Sequence, residues 1–172
     1  MIMPRGEQLL LPANPLFIWA SLLIALTINA FPIGRIFWAP DWLALVLIYW
    51  CVHQPLRIGL GVAFIMGILT DVQSTGLLGQ HAVSYLVMTY WANALQRRLP
   101  WFSLGTQAVQ IAPVFFLGTG IELLLSMFTG GTTPGWLIIV APALQAALWP
   151  IVSIFLQAPQ RRAPNRDNQR PI

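Results

Sequence analysis

The chain alternates long apolar runs with short polar turns. Charge-poor segments cover residues 8–34, 42–56, 58–70, 72–96, 99–121 and 123–160. A membrane-spanning helix takes roughly 20 apolar residues, so about six crossings use most of the 172 positions. The pattern predicts spans over Pro15–Ile33, Trp38–Val52, Ile58–Val72, Gly79–Leu95, Leu104–Phe128 and Trp136–Leu156. That is an all-α, polytopic bundle of six transmembrane helices, forming one domain over residues 15–157. A short N-terminal stretch, 1–14, precedes it. The tail, 158–172, is Arg-rich, polar and Pro-containing, and reads as disordered.

Within these runs, small and polar residues recur at helical spacing. Gly59, Ala63, Gly67 and Asp71 stand four apart and share one face of the third predicted helix. Small residues let helices approach closely in lipid, so this face is expected to meet a helix, either within the chain or in a partner. His81, Tyr85, Thr89 and Asn93 form a similar row in the fourth span, and Gln145, Trp149, Ser153 and Gln157 in the sixth. Glu122, flanked by Gly118 and Ser126, repeats the small-plus-acid pattern in the fifth. His81, Tyr85, Glu122 and Gln145 are therefore candidates for a buried polar network. A charged side chain at mid-bilayer costs roughly 2.5–3.5 kcal/mol on insertion scales, which makes acids in such segments either functional or paired.

Composition settles the broad class. Hydrophobic residues make up 57% of the chain and charged residues only 8%, against about a quarter charged in ordinary soluble domains. All nine basic residues are arginine. With a cytoplasmic N-terminus, Arg5, Arg57, Arg97, Arg98, Arg161, Arg162, Arg166 and Arg170 lie inside and Arg35 alone outside, a strong positive-inside bias. A five-span arrangement, in which the second segment does not cross and Arg5 becomes the exception, satisfies the arginines equally well. Hydrophobicity favours six, because the run from Trp42 to Trp50 would otherwise expose a large apolar surface. In both arrangements the C-terminus is cytoplasmic, and Asp71 ends its span beside a short outer turn. The first apolar segment lacks a small residue three positions before a cleavage site and reads as a retained anchor.

Candidate chemistry is sparse. One cysteine, Cys51, excludes an intramolecular disulfide framework and any Cys-x-x-Cys site. Neither Cys51-Val52-His53 nor the isolated His81 supplies metal-ligand spacing. No Gly-x-Ser-x-Gly, Ser-x-x-Lys or His-Glu-x-x-His string is present, and no lysine follows a glycine-rich loop to cradle phosphate. Nucleic-acid binding is not expected from an Arg-rich tail without interleaved aromatics. The residues themselves thus point to a non-enzymatic membrane protein without cofactor or metal. A ligand site near the outer leaflet, built from Asp71, Glu122 and His81, is the competing reading to an interhelical packing network.

From Arg57 to Val72, and again over Gly76-Leu77-Leu78-Gly79-Gln80-His81-Ala82, the chain resembles the bacterial MreD family of rod shape-determining proteins. Pro40-Asp41-Trp42, Tyr49-Trp50 with Pro55 and Arg57 after it, and Leu148-Trp149-Pro150 carry the resemblance further. It implies a multi-pass subunit of the bacterial inner membrane, in the elongation machinery (elongasome) that directs lateral peptidoglycan synthesis and maintains cell shape. The implied partners are MreC, a single-span protein, and, less directly, MreB, RodA and penicillin-binding protein 2. It also implies the six-helix arrangement of the substrate-binding subunits of vitamin (ECF-type) transporters. A small-molecule-binding membrane subunit of a transporter is the alternative function.

Overall fold

In the computed structural model, residues 13–31, 39–74, 77–128, 130 and 135–160 are described. The described residues are helical, with no strand among them. Six α-helices follow in order: α1 (Pro15–Ala30), α2 (Trp42–His53), α3 (Leu60–Ser74), α4 (Gln80–Leu95), α5 (Leu104–Phe128) and α6 (Val140–Gln157), with short 3-10 turns at Leu99–Trp101, Gly135–Ile139 and Ala158–Gln160. Most of the predicted N-terminal stretch, the tail beyond Gln160, Arg35 and Trp38 lie outside the described residues.

The helix boundaries follow local chemistry. Asn14 caps α1 by accepting from the Leu16 N–H, with Pro15 in the first turn, where its missing N–H is not needed. The helix stops at Phe31, whose extended backbone suits a residue ahead of a proline. The second helix begins at Trp42, four residues later than expected from apolarity. Pro40 cannot supply a helical N–H, and Asp41 takes the N-cap by accepting from Ala44 N at 3.0 Å. In the sixth segment, residues 135–139 form a 3-10 turn and the α-helix proper starts at Val140. The bounds of α5 agree with the predicted span, and Pro113 lies inside it.

Every residue from Leu43 to Val52 is buried, so α2 is the axis of the molecule. It packs on α1, α4 and α6, while α1–α3, α3–α4, α4–α5 and α5–α6 contacts close a wall around it. Its sequence is apolar on all sides, as a wholly enclosed helix requires. At 12 residues it is only about 18 Å long, against a hydrocarbon core of about 30 Å. Residues Leu104–Phe128 and Val140–Gln160 are long and apolar enough to cross a membrane, whereas α1, α2 and α3 are shorter apolar helices. The outer faces carry large hydrophobic side chains, among them Leu16, Ile24, Ile65, Tyr90, Val109, Leu124 and Phe155.

Opposite ends of the bundle differ in character. The C-terminal ends of α1, α3 and α5 meet the N-terminal ends of α2, α4 and α6 around Asp41, Asp71 and Glu122. At the other end the Arg57 guanidinium donates to Ala13 O at 2.7 Å, and Arg97 and Arg98 follow α4. Aromatic packing fills the body between them: Tyr49 and Trp50 meet edge to face, Trp149 packs against Tyr49 and Phe115, and Trp50 Nε1 donates to Ser21 Oγ at 2.8 Å.

Candidate functional site

Two carboxylates organise the acidic end. Asp71, near the end of α3, is buried and accepts four hydrogen bonds from the beginning of α4. Oδ2 receives the N–H groups of Gly79 and Ala82 at 2.8 and 3.3 Å. Oδ1 receives the N–H of His81 at 2.9 Å and its Nδ1 at 2.8 Å. The first N–H groups of a helix have no partner of their own, and a carboxylate there also meets the positive end of the helix dipole. Gly79, the residue at the cap position, has no side chain to offer and holds φ +99°, a left-handed conformation suited to glycine. Asp71 therefore caps α4 from the neighbouring helix.

Asp41 does the same for α2 from within its own chain segment, then extends outward. Its Oδ1 also accepts from Asn29 Nδ2 at 2.6 Å, and Asn29 Oδ1 returns by accepting from Trp42 N at 3.1 Å, which joins the end of α1 to the start of α2. Oδ2 accepts from the Tyr85 hydroxyl at 2.5 Å, tying in α4. The Asp41 carbonyl accepts from Gln145 Nε2 at 3.4 Å, tying in α6. One residue thus links four helices.

The two hubs meet on α4. His81 and Tyr85 stand one turn apart with their rings edge to face, centroids 6.1 Å apart; one contacts Asp71 and the other Asp41. Gln80 Nε2 donates to the Glu122 carbonyl at 3.3 Å, bringing in α5. Of the four polar candidates, the structure places His81 and Tyr85 in direct contact with the two carboxylates and Gln145 on the Asp41 main-chain carbonyl, while Glu122 joins through its own main chain, with Ser84 beside its side chain.

The small-residue stripe divides. A Cβ on Gly67 would stand 2.3 Å from Ala82 Cα and 2.6 Å from Ala82 N, so α3 and α4 touch backbone to backbone there. Ala63 is buried. Gly59 lies just ahead of α3 with open space where a side chain would project. The rest of the polar rows face inward in the body of the bundle: Thr89 and Ser153 are buried, Asn93 Oδ1 meets Cys51 Sγ at 3.1 Å, and Trp149 Nε1 donates to Gln107 Oε1 at 3.3 Å.

Asp41 and Asn29 were not among the candidates that residue spacing singled out. Asp41 carried a readable signal, an acid immediately ahead of an all-apolar run. Asn29 carried none, since its partners lie 12 and 13 residues on, beyond any helical period. Chemically, both oxygens of each carboxylate accept hydrogen bonds, four in all at Asp71 and three at Asp41, which suits holding helices together. Among the described residues no group of three or more His, Cys, Asp or Glu side chains is placed to hold a metal ion.

The same stretch of chain, from the cap of α1 to the turn after α6, is what comparison with known proteins matches. A family model described as rod shape-determining protein MreD aligns with residues 12–158. The chain belongs to the MreD family. Among MreD relatives, Rod shape-determining protein MreD of Haemophilus influenzae is 25% identical over 137 residues, covering 80% of this chain and 85% of that protein. No solved structure matches the chain. The match takes in all six helices and both carboxylate hubs. MreD is a family of shape-determining structural proteins and not a known enzyme family, in keeping with carboxylates committed to helix contacts.

Proposed function

We propose that this protein is a non-enzymatic inner-membrane subunit of the rod-shape machinery, which helps to maintain cell shape by binding MreC and organising the synthases of the lateral wall. The observation that carries the reading is the MreD match over residues 12–158, which ties the chain to rod-shape determination. The geometry supports a scaffold. Five helices are joined at one end by hydrogen bonds to Asp41 and Asp71, the fifth in chain order, α5, is tied in through Gln80 and the Glu122 carbonyl, and together they leave apolar outer faces suited to lipid and to a partner helix.

In this reading all six helices lie in the membrane, with α2 enclosed by the others and spared contact with lipid. Both termini and Arg57, Arg97 and Arg98 are cytoplasmic, and the Asp41–Asp71 end faces outward. The antiparallel pairing of α1 and α2 through Asn29 and Asp41 supports six passes over five. For MreC, the part of the small-residue stripe left open is Gly59, since Gly67 and Asp71 are occupied by α4. RodA, penicillin-binding protein 2 and MreB are reached through MreC.

The test is complementation in a rod-shaped bacterium depleted of its own MreD, combined with co-purification of MreC. Rod shape should be restored and MreC should be retained by wild-type protein. A Gly59→Leu substitution should lower the MreC yield without lowering that of the protein. Undiminished MreC would exclude Gly59 from the contact, and failure to restore shape with a folded protein would overturn the scaffold reading. A small molecule retained in stoichiometric amount after purification would instead favour a transporter-type binding subunit.

A further inference from the structure

At the end of the bundle opposite the two carboxylate hubs, the connection between α4 and α5 is a rigidly folded, amphipathic corner. Arg98 N donates to Leu95 O at 3.0 Å, Trp101 N to Arg98 O at 3.2 Å and Phe102 N to Leu99 O at 3.2 Å. Leu99 is fully buried as the plug of the turn, and Gln107 Nε2 holds the Phe102 carbonyl at 2.9 Å. Four side chains are presented outward from this frame. Arg97 and Arg98 are exposed, Trp101 is 78% exposed and Phe102 44%.

Arg57, at the same end, donates to Ala13 O. Among the described residues, neither Arg97 nor Arg98 makes an ion pair with a carboxylate. The α2–α3 connection repeats the arrangement in miniature, with a wholly exposed Leu56 beside Arg57. An indole and a phenyl ring held out of the bundle by a fixed turn are unfavourable in water and favourable at the boundary between headgroups and acyl chains. In that position the two adjacent guanidinium groups stand at phosphate depth, where arginine pairs with phosphate oxygens through two N–H donors.

We infer that Arg97, Arg98, Trp101 and Phe102 form a binding surface for the headgroup of an anionic phospholipid. The guanidinium groups meet the phosphate and the rings insert beside the acyl chains. Charge complementarity selects this occupant: two adjacent cations that pair with no carboxylate among the described residues, set on a preformed corner, attract a leaflet carrying negative charge, at the few-fold level per arginine that a charged membrane surface provides. The inference rests on the membrane placement proposed above, but not on the role in cell shape.

The experiment uses the full chain, purified and reconstituted in nanodiscs of phosphatidylcholine with or without phosphatidylglycerol. Bound lipid is read by native mass spectrometry after release. Wild-type protein should retain phosphatidylglycerol in preference to phosphatidylcholine. The double substitution Arg97→Gln with Arg98→Gln should weaken that preference roughly 30-fold, and Arg97→Lys with Arg98→Lys should keep most of it. Equal retention of the two lipids by wild-type protein would overturn the inference, as would unchanged phosphatidylglycerol retention by the double Gln variant. Cell-shape complementation by the same variants is scored separately, so loss of lipid selectivity and failure of the scaffold reading are distinct results.

Discussion

Asp71 Oδ1 accepts from both the main-chain N–H and the Nδ1 of His81, at 2.9 and 2.8 Å. With Oδ2 on Gly79 and Ala82, the carboxylate of one helix completes the first turn of the next. Removing it strips four donors of their acceptor in a buried place. Asp71→Ala is expected to destabilise the protein by about 2–3 kcal/mol. Asp71→Asn, which keeps one carbonyl acceptor but brings two unwanted donors, should fall between Asp71→Ala and wild type. Thermal unfolding in detergent, followed by loss of the monodisperse peak, measures both.

Gly67 tolerates no side chain, because the nearest obstacles to a Cβ are the Cα and N of Ala82. Backbone cannot rotate away as a side chain can. Even Gly67→Ala should force α3 and α4 apart and destabilise by about 1–3 kcal/mol, enough to lower yield and melting temperature. Gly59→Ala, with open space around it, should stay within about 0.5 kcal/mol of wild type. Equal effects at the two sites would contradict the backbone contact.

Gly118 provides a contrast of a different kind. Its Cβ would meet the Sδ, Cγ and Cε of Met88 at 2.4–2.9 Å, and an unbranched methionine can re-pack. Gly118→Ala should therefore be milder than Gly67→Ala, at about 1 kcal/mol or less. Combining it with Met88→Ala should recover part of the loss, a coupling that a double-mutant cycle reads directly.

Tyr85 holds Asp41 Oδ2 across the α2–α4 contact. Tyr85→Phe removes the hydroxyl and leaves a carboxylate oxygen without that donor, for an expected loss of about 1–3 kcal/mol. Asp41→Ala should be more damaging, since the same side chain also caps α2 and holds Asn29. Asn29→Ala and Tyr85→Phe should be non-additive, because both act through Asp41. Additive losses would show that the two arms of the hub are independent.

How much of this was legible differed by element. The apolar runs and their punctuation located all six helices, and for α5 the bounds agree at both ends. Long runs with clear breakers carry that information because main-chain hydrogen bonding in apolar surroundings leaves helix as the default. In the four-residue rows of α4 and α6, Tyr85, Thr89, Gln145, Trp149 and Ser153 are buried, since helical periodicity is local. Spacing alone did not show that α2, shorter than it looks by composition, would be enclosed. A residue such as Ile48, fully buried here, is equally apolar whether it meets lipid or protein, so hydrophobicity cannot distinguish a lipid-facing helix from a buried one.

By itself, then, the sequence determined a helical, charge-poor chain and where its helices run. The resemblance, later met by the MreD match, rested on short motifs at consistent spacing. Tertiary structure alone decided what the polar residues are for. Asp71's partners are mainly N–H groups, which every residue but proline owns and no side-chain pattern reveals. Gly59 and Gly67 share a spacing and a residue type, but only one lies against Ala82, because packing depends on the partner surface. Asp41 gathers Asn29, Tyr85 and Gln145 from positions up to 104 residues away. Such convergence exists only once the helices have closed around α2.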